Sequence, residues 1–174
     1  MIRTDLLKKL KQYKPSSESD QKNLNLVIRF VEENSNCFER SNLAGHITGS
    51  AWILNHNKTK VLLCHHKKFE KWIQLGGHAD GESDILKVAL KEAIEESGLK
   101  NIKILSEEIF DLDVHIVPIY KNIPAHFHYD IRFSFEANDQ ENFIVSDESL
   151  DLQWFDFGDV PNNLSLQRMV QKTS

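Results

Sequence analysis

The chain has 174 residues, 40% of them hydrophobic and 27% charged, and a formal net charge of -5. That length suits one globular domain that buries about two-thirds of its unfolded surface without needing a disulfide or structural metal. The composition excludes a disordered, collagen-like or coiled-coil chain, and the acidic balance argues against a nucleic-acid partner of the general, charge-driven kind. Charge is unevenly spread. Residues 58–71 hold five lysines against one glutamate, whereas residues 136–159 hold eight acidic residues and no Lys or Arg; histidines number eight.

In chain order, Ile2, Leu6, Leu10 and Tyr13 recur at helical spacing before Pro15 breaks the pattern. A second helix is predicted from Ser17 to Asn34, with Ser17 and Asp20 at capping-box spacing and an apolar stripe of Leu24, Val27, Ile28 and Val31. Residues 1–40 therefore read as a helical extension, and 41–174 as the main domain. Strands are predicted at 47–54 and 59–65, joined by a polar turn as a hairpin. A loop follows to Gly77, then a helix over 84–97 ended by Gly98 at the C′ position. Further strands are predicted at 102–110, 112–119, 126–136 and 150–155, and a short helix at 163–171. The class is α/β.

Two cysteines, Cys37 and Cys64, do not make a disulfide framework, and a reducing cytoplasm is expected. No apolar stretch approaches the ~20 residues that span a bilayer, and the first residues carry no secretory h-region. No membrane partner is expected.

The segment 76–99 carries the chemistry. On a helix, Glu92, Glu95 and Glu96 fall within about a 100° sector of one face. Three like charges repel unless a cation sits among them, and Mg²⁺ or Mn²⁺ takes carboxylate and carbonyl oxygens while keeping waters that a phosphate can replace. A solvated acidic face is the other reading of the same spacing.

These residues resemble the Nudix (MutT-like) hydrolase box, G-x5-E-x7-R-E-U-x-E-E-x-G-U, with U a bulky aliphatic. Gly77, Glu92, Glu95, Glu96, Gly98 and Leu99 take their places in it. Trp72 to Gly77 is similar to the entry into the box, and Asp151 to Phe155 to the family's last strand. The likeness spans about residues 45–160 and implies an α/β/α sandwich around a mixed sheet, preceded here by a helical hairpin. Three positions depart. Ser83 stands for the first Glu, Lys91 for the Arg and Ala93 for an aliphatic; Glu82, one residue early, is the candidate replacement carboxylate.

The resemblance implies Mg²⁺-dependent (or Mn²⁺-dependent) hydrolysis of a nucleoside diphosphate linked to another moiety, with water attacking phosphorus. Glu92, Glu95 and Glu96, with the Gly77 carbonyl, would hold the metal. Glu148, in a loop before the last strand, is the candidate general base. The partner is a small nucleotide-type diphosphate, and a homodimer is open, the N-terminal hairpin being a candidate subunit contact or lid.

Residues 126–136 alternate: Phe127, Tyr129, Ile131, Phe133 and Phe135 form one face, expected to be core, and His126, His128 and Asp130 lie on the other. Asp111, Asp113 and His115 repeat the pattern on the preceding strand. If the two strands pair, His115, His126, His128 and Asp130 converge on a phosphate, a base or a second metal; a hydrogen-bonded polar sheet face is the alternative. Lys68, in the basic run, is a candidate phosphate contact, and Trp72 a candidate base-stacking residue or core anchor. Two rivals remain. One is a non-catalytic nucleotide sensor with a degenerate box, suggested by Ser83 and Lys91; the other is a hydrolase centred on the histidines.

Overall fold

The computed structural model describes residues 3–174; Ile2, the first position of the expected apolar stripe, lies outside them. Helix α1 (Thr4–Gln12) and helix α2 (Glu18–Glu33) form the N-terminal hairpin. The Ser17 side chain caps α2 by accepting from the Asp20 N–H, as the spacing predicts.

Eight strands build one mixed sheet: β1 (Gly45–Leu54), β2 (Lys60–His66), β3 (Lys71–Ile73), β4 (Leu75–His78), β5 (Lys103–Ile104), β6 (Asp111–Val117), β7 (His126–Glu136) and β8 (Ser149–Asp156). The axis is a parallel ladder between β1 and β7, from Gly45↔Phe127 to Leu54↔Glu136. Each axial strand has its far edge shared. Strand β4 pairs with residues 48–51 of β1 and β2 with its end, while β6 pairs with 126–132 of β7 and β5 with its end. Sharing an edge in this way curls the sheet.

Alternation along the strands gives the sheet two differently covered faces. Ile47, Ala51, Ile53, Ile131, Phe133 and Phe135 join Leu6, Leu10, Val27 and Val31 of the hairpin, and Val88, Ala89 and Ala93 of helix α3 (Ile85–Ser97), in the larger core. The other face carries a smaller cluster, Trp52, Val61 and Leu63, closed by Leu166 and Met169 of helix α4 (Leu164–Thr173). The result is the α/β sandwich expected from the sequence.

The expected elements differ in four places. The strand at 102–110 shrinks to Lys103–Ile104, because the polar Ser106-Glu107-Glu108 run leaves the ladder. Conversely, the expected loop before Gly77 contains β3 and most of β4, three and four residues long, too short for periodicity to show. The aromatic face of β7 is not wholly core: Phe127 is 43% exposed, and Tyr129 is half-buried in a stack on Phe30 at 3.9 Å. Its polar face is not an open surface either. From Asp130 to Phe135 every residue of β7 is buried, since α4 covers that side as well.

Candidate active site

Helix α3 begins at Asp84, whose carboxylate accepts from the Lys87 N–H, and ends at Gly98, which adopts φ 66°, a left-handed value that glycine reaches without strain. These two ends fix which helix face meets β4. Glu96 is buried, and its Oε2 accepts a 2.8 Å bond from the Gly76 N–H. Glu92 lies against Gly77 so closely that a Cβ there would stand 2.5 Å from the carboxylate carbon. Glu95, one helical step further round, is exposed.

The electrostatics of this corner are dominated by negative charge. Burial pushes Glu96 from 4.5 up to about 8, the Gly76 N–H opposing and Glu92, Glu148 and Glu95 adding repulsion. Glu92 is also raised, first by burial, with Lys91 opposing and Glu95 and Glu148 reinforcing. Glu148 therefore acts on both the half-buried Glu92 and the buried Glu96 from its exposed turn before β8, where its carbonyl accepts from the Lys67 N–H.

A carboxylate cluster pressed on a glycine backbone suits a hard divalent cation. It offers only oxygen donors, and the close approach at Gly77 leaves that backbone unobstructed. Gly77→Ala tests this. The new methyl meets the movable end of Glu92, so the fold should hold, with a melting temperature within a few degrees of wild type. Hydrolysis should nonetheless drop by about tenfold or more as Glu92 is displaced, a tenfold loss being ~1.4 kcal/mol. Unchanged turnover in Gly77→Ala would show that Glu92 does not work from this position.

The departures from the box pattern have visible consequences. Lys91 sits 3.8 Å from Glu92 and 3.6 Å from Glu95, tempering the cluster from the solvent side. Glu82 does not reach the acids. It accepts from the Asp84 N–H and pairs with Lys87 at 2.8 Å, bracing the start of α3.

The sequence profile of the NUDIX domain matches residues 46–172. This chain belongs to the Nudix hydrolase family. Solved Nudix-type structures share its fold at low identity. One is an Ap4A hydrolase of C. elegans (15% identity, TM-score 0.57, covering 72% of this chain and 93% of that one). A NUDIX-family hydrolase of Clostridium perfringens gives 22% and 0.52, covering 74% and 95%. The dihydroneopterin triphosphate pyrophosphohydrolase of E. coli gives 10% and 0.52, covering 72% and 92%. No curated protein sequence matches. The N-terminal hairpin precedes the Nudix match but packs into the same core as the domain.

On the opposite face of the Nudix sheet, β6 and β7 pair with His115 beside His128 and Asp113 beside Asp130. The structure brings His115, His126 and His128 together, with ring centroids 5.5 Å apart for His115–His128 and 5.2 Å for His126–His128. Asp130 does not join them. It is buried, accepting from Thr48, Ser50 and Gln74 and pairing with Arg132 at 2.8 Å. A buried Arg must be matched by charge, and Asp130 is committed to that task.

Two histidines that sequence reasoning missed complete the group. His46 lies beside His128 across the β1–β7 ladder, and His78 follows Gly77 on β4. Their rings stand 5.0 Å apart, and each is within 5.0 Å of His128. Burial is the first cause that drives His78 down to about 4 and His128 down to about 2, and it lowers His46 as well, so all three are neutral at pH 7. His46 is 3% exposed, and both its ring nitrogens, like Nε2 of His128, lack a hydrogen-bond partner among the described residues. Such orphaned polar atoms ordinarily cost about 1–3 kcal/mol each.

Trp72 is half-buried, its ring 5.1 Å from His65 and edge-on to Phe155 at 4.9 Å, as befits an anchor of the smaller core. The Lys68 ammonium lies over Tyr120 at 4.4 Å and Phe69 at 5.4 Å, bridging the turn after β2 to the β6–β7 connection.

Proposed function

We propose that this protein is a divalent-cation-dependent pyrophosphohydrolase that cleaves a nucleoside diphosphate linked to another moiety. The observation that carries the proposal is the packing of Glu92 and Glu96 against Gly77 and Gly76, with Glu95 and Glu148 at the rim. Glu92, Glu95, Glu96 and the Gly77 carbonyl are the residues that would hold Mg²⁺ or Mn²⁺. Such a cation, when bound, neutralises the phosphoanhydride and its leaving phosphate. The burial of Glu96 and its bond from the Gly76 N–H hold that carboxylate in place, so little reorganisation is needed there as charge develops. Glu148, exposed and on a loop, is the group proposed to take the proton from the attacking water.

The neighbours act, by their descriptions, on Ap4A and on dihydroneopterin triphosphate, which supports a nucleotide or nucleotide-like polyphosphate as the substrate class. Arg40, paired with Asp80 beside the acids and histidines, and Lys68, over Tyr120, are the cations proposed to meet phosphate. Both cysteines are free and buried, and among the described residues no helix is long and apolar enough to cross a membrane. A cytoplasmic setting is part of the proposal, a reading the free cysteines support.

The sensor reading has one observation in its favour, the Lys91 contacts that partly offset the acids. The test is product release from a panel of dinucleoside polyphosphates, nucleoside diphosphate sugars and nucleoside triphosphates, with Mg²⁺, with Mn²⁺ and with chelator. Cation-dependent turnover of at least one panel member is expected. Tight nucleotide binding without turnover of any member, with either cation, would replace the hydrolase reading by the sensor.

A further inference from the structure

We propose that His46, His78 and His128 form a second metal site, selective for a borderline transition metal of the Zn²⁺ type and separate from the carboxylate site. Candidate ligand atoms of these three side chains all lie within 4.8 Å of one another. They come from three adjacent strands, β4, β1 and β7, whose registers place His78 opposite Thr48 and His46 opposite His128. Because alternate strand residues point to opposite faces, His78 and Gly77 serve different sides of β4. Gly77 faces Glu92 on α3, and His78 faces the histidines.

The donor set decides the metal. Imidazole nitrogen suits Zn²⁺, Co²⁺, Ni²⁺ or Cu²⁺, whereas Mg²⁺ takes oxygen. Zn–N bonds of about 2.0–2.1 Å put two ligands of a tetrahedral site roughly 3.4 Å apart, a modest contraction of the cluster seen. A bound ion would also take up one of the two buried, unpartnered ring nitrogens of His46, and the unpartnered Nε2 of His128 where that ring ligates through it. Three protein ligands leave a fourth position. His126, whose ring is 4.9 Å from that of His46, borders it with Nδ1 engaged by the Pro124 carbonyl and Nε2 left over. His115, held by Asp113 at 2.9 Å, packs its ring 5.5 Å from that of His128 and lies outside the ligand set.

The test uses full-length protein stripped by chelator and exchanged into excess Mg²⁺, then titrated with Zn²⁺ against a chromophoric chelator and with Co²⁺ by visible absorption. One Zn²⁺ per chain is expected, undisplaced by Mg²⁺, together with the intense visible bands of a four-coordinate Co²⁺ site. Losing an outer-shell partner already costs 10–100-fold in metal affinity, so His78→Gln and His128→Gln should each weaken Zn²⁺ by about a hundredfold or more. Glu92→Gln should leave it unchanged. Circular dichroism checks that each variant folds, and the wild-type Co²⁺ spectrum needs no variant at all. The proposal is overturned if wild type takes up no Zn²⁺ in excess Mg²⁺, if Co²⁺ gives only the weak bands of a six-coordinate oxygen site, or if folded His78→Gln and His128→Gln both keep their Zn²⁺.

Discussion

Glu96→Gln should silence hydrolysis and, in metal-free protein at pH 8, raise the melting temperature. The two effects share one cause. Glu96, on the inner face of α3, is 4% exposed, and burial lifts its carboxyl from 4.5 to about 8. A group whose folded value lies above its unfolded value contributes its full stability below the unfolded value. That contribution is lost as pH rises from about 4.5 and is gone above about 8. At ~1.4 kcal/mol per unit, the penalty of ionising it in the folded protein is on the order of a few kcal/mol. Glutamine cannot ionise, yet its amide oxygen can still accept from the Gly76 N–H, so the variant escapes the penalty and keeps the contact. Without metal, the variant's advantage should be small at pH 5 and large at pH 8. With Mg²⁺ at pH 8 the order should reverse, because only the carboxylate gains from the cation. Removing a proposed metal ligand, in a site where a cation would supply several kcal/mol of charge stabilisation, should slow turnover by about 10²–10⁴-fold. Thermal melts at both pH values, with chelator and with Mg²⁺, check the first part, and a phosphate-release assay the second. Retained turnover in Glu96→Gln would remove the acids from the reaction.

How much of this was legible beforehand depended on the range of the contacts. Glu92, Glu95 and Glu96 lie on one helix, so their common face follows from 100° per residue, and Ser17, Asp84 and Gly98 announce helix ends by local chemistry alone. The histidine group is a different matter. His115 and His128 could be joined by assuming that neighbouring strands pair, which they do. His46 and His78 could not, because β1 meets β7 in a parallel ladder across 82 residues of sequence, and β4 is too short to be seen as a strand. The count of eight histidines was the only hint. Asp130 shows the converse failure. Its spacing from His128 suggested a shared ligand, but Arg132, two residues on along the same face, claims it. A strand pattern tells which side chains share a face and says nothing of which neighbour wins a carboxylate.

Replacing Asp111 should be the most damaging single change outside the two proposed metal sites. Asp111 is fully buried and accepts from three cations: Arg132 at 2.9 Å, Arg168 through two nitrogens at 2.8 Å each, and Lys172 at 2.6 Å. Lys172 also reaches Asp20 at 2.8 Å, and Asp20 accepts from Tyr13, so one chain of ion pairs runs from the N-terminal hairpin through β6 to α4. Asp113, pulled well below the usual carboxylate range by His115, Arg132 and Arg168 despite its burial, stands beside them but cannot serve three cations alone. Asp111→Asn keeps the shape and removes the charge, leaving Arg132 and its neighbours under-compensated inside the protein. Breaking a buried pair on one side costs about 3–5 kcal/mol, which for a chain of this size lowers the melting temperature by roughly 10–15 °C. The loss should be non-additive with its partner. In Asp111→Asn, Lys172 has already lost one of its two carboxylates and keeps only Asp20, so Lys172→Met should cost less there than in wild type, where it leaves both Asp20 and Asp111 under-compensated. Urea denaturation of the four proteins of this cycle measures the coupling. An Asp111→Asn variant as stable as wild type would show that the network sets geometry without contributing to stability.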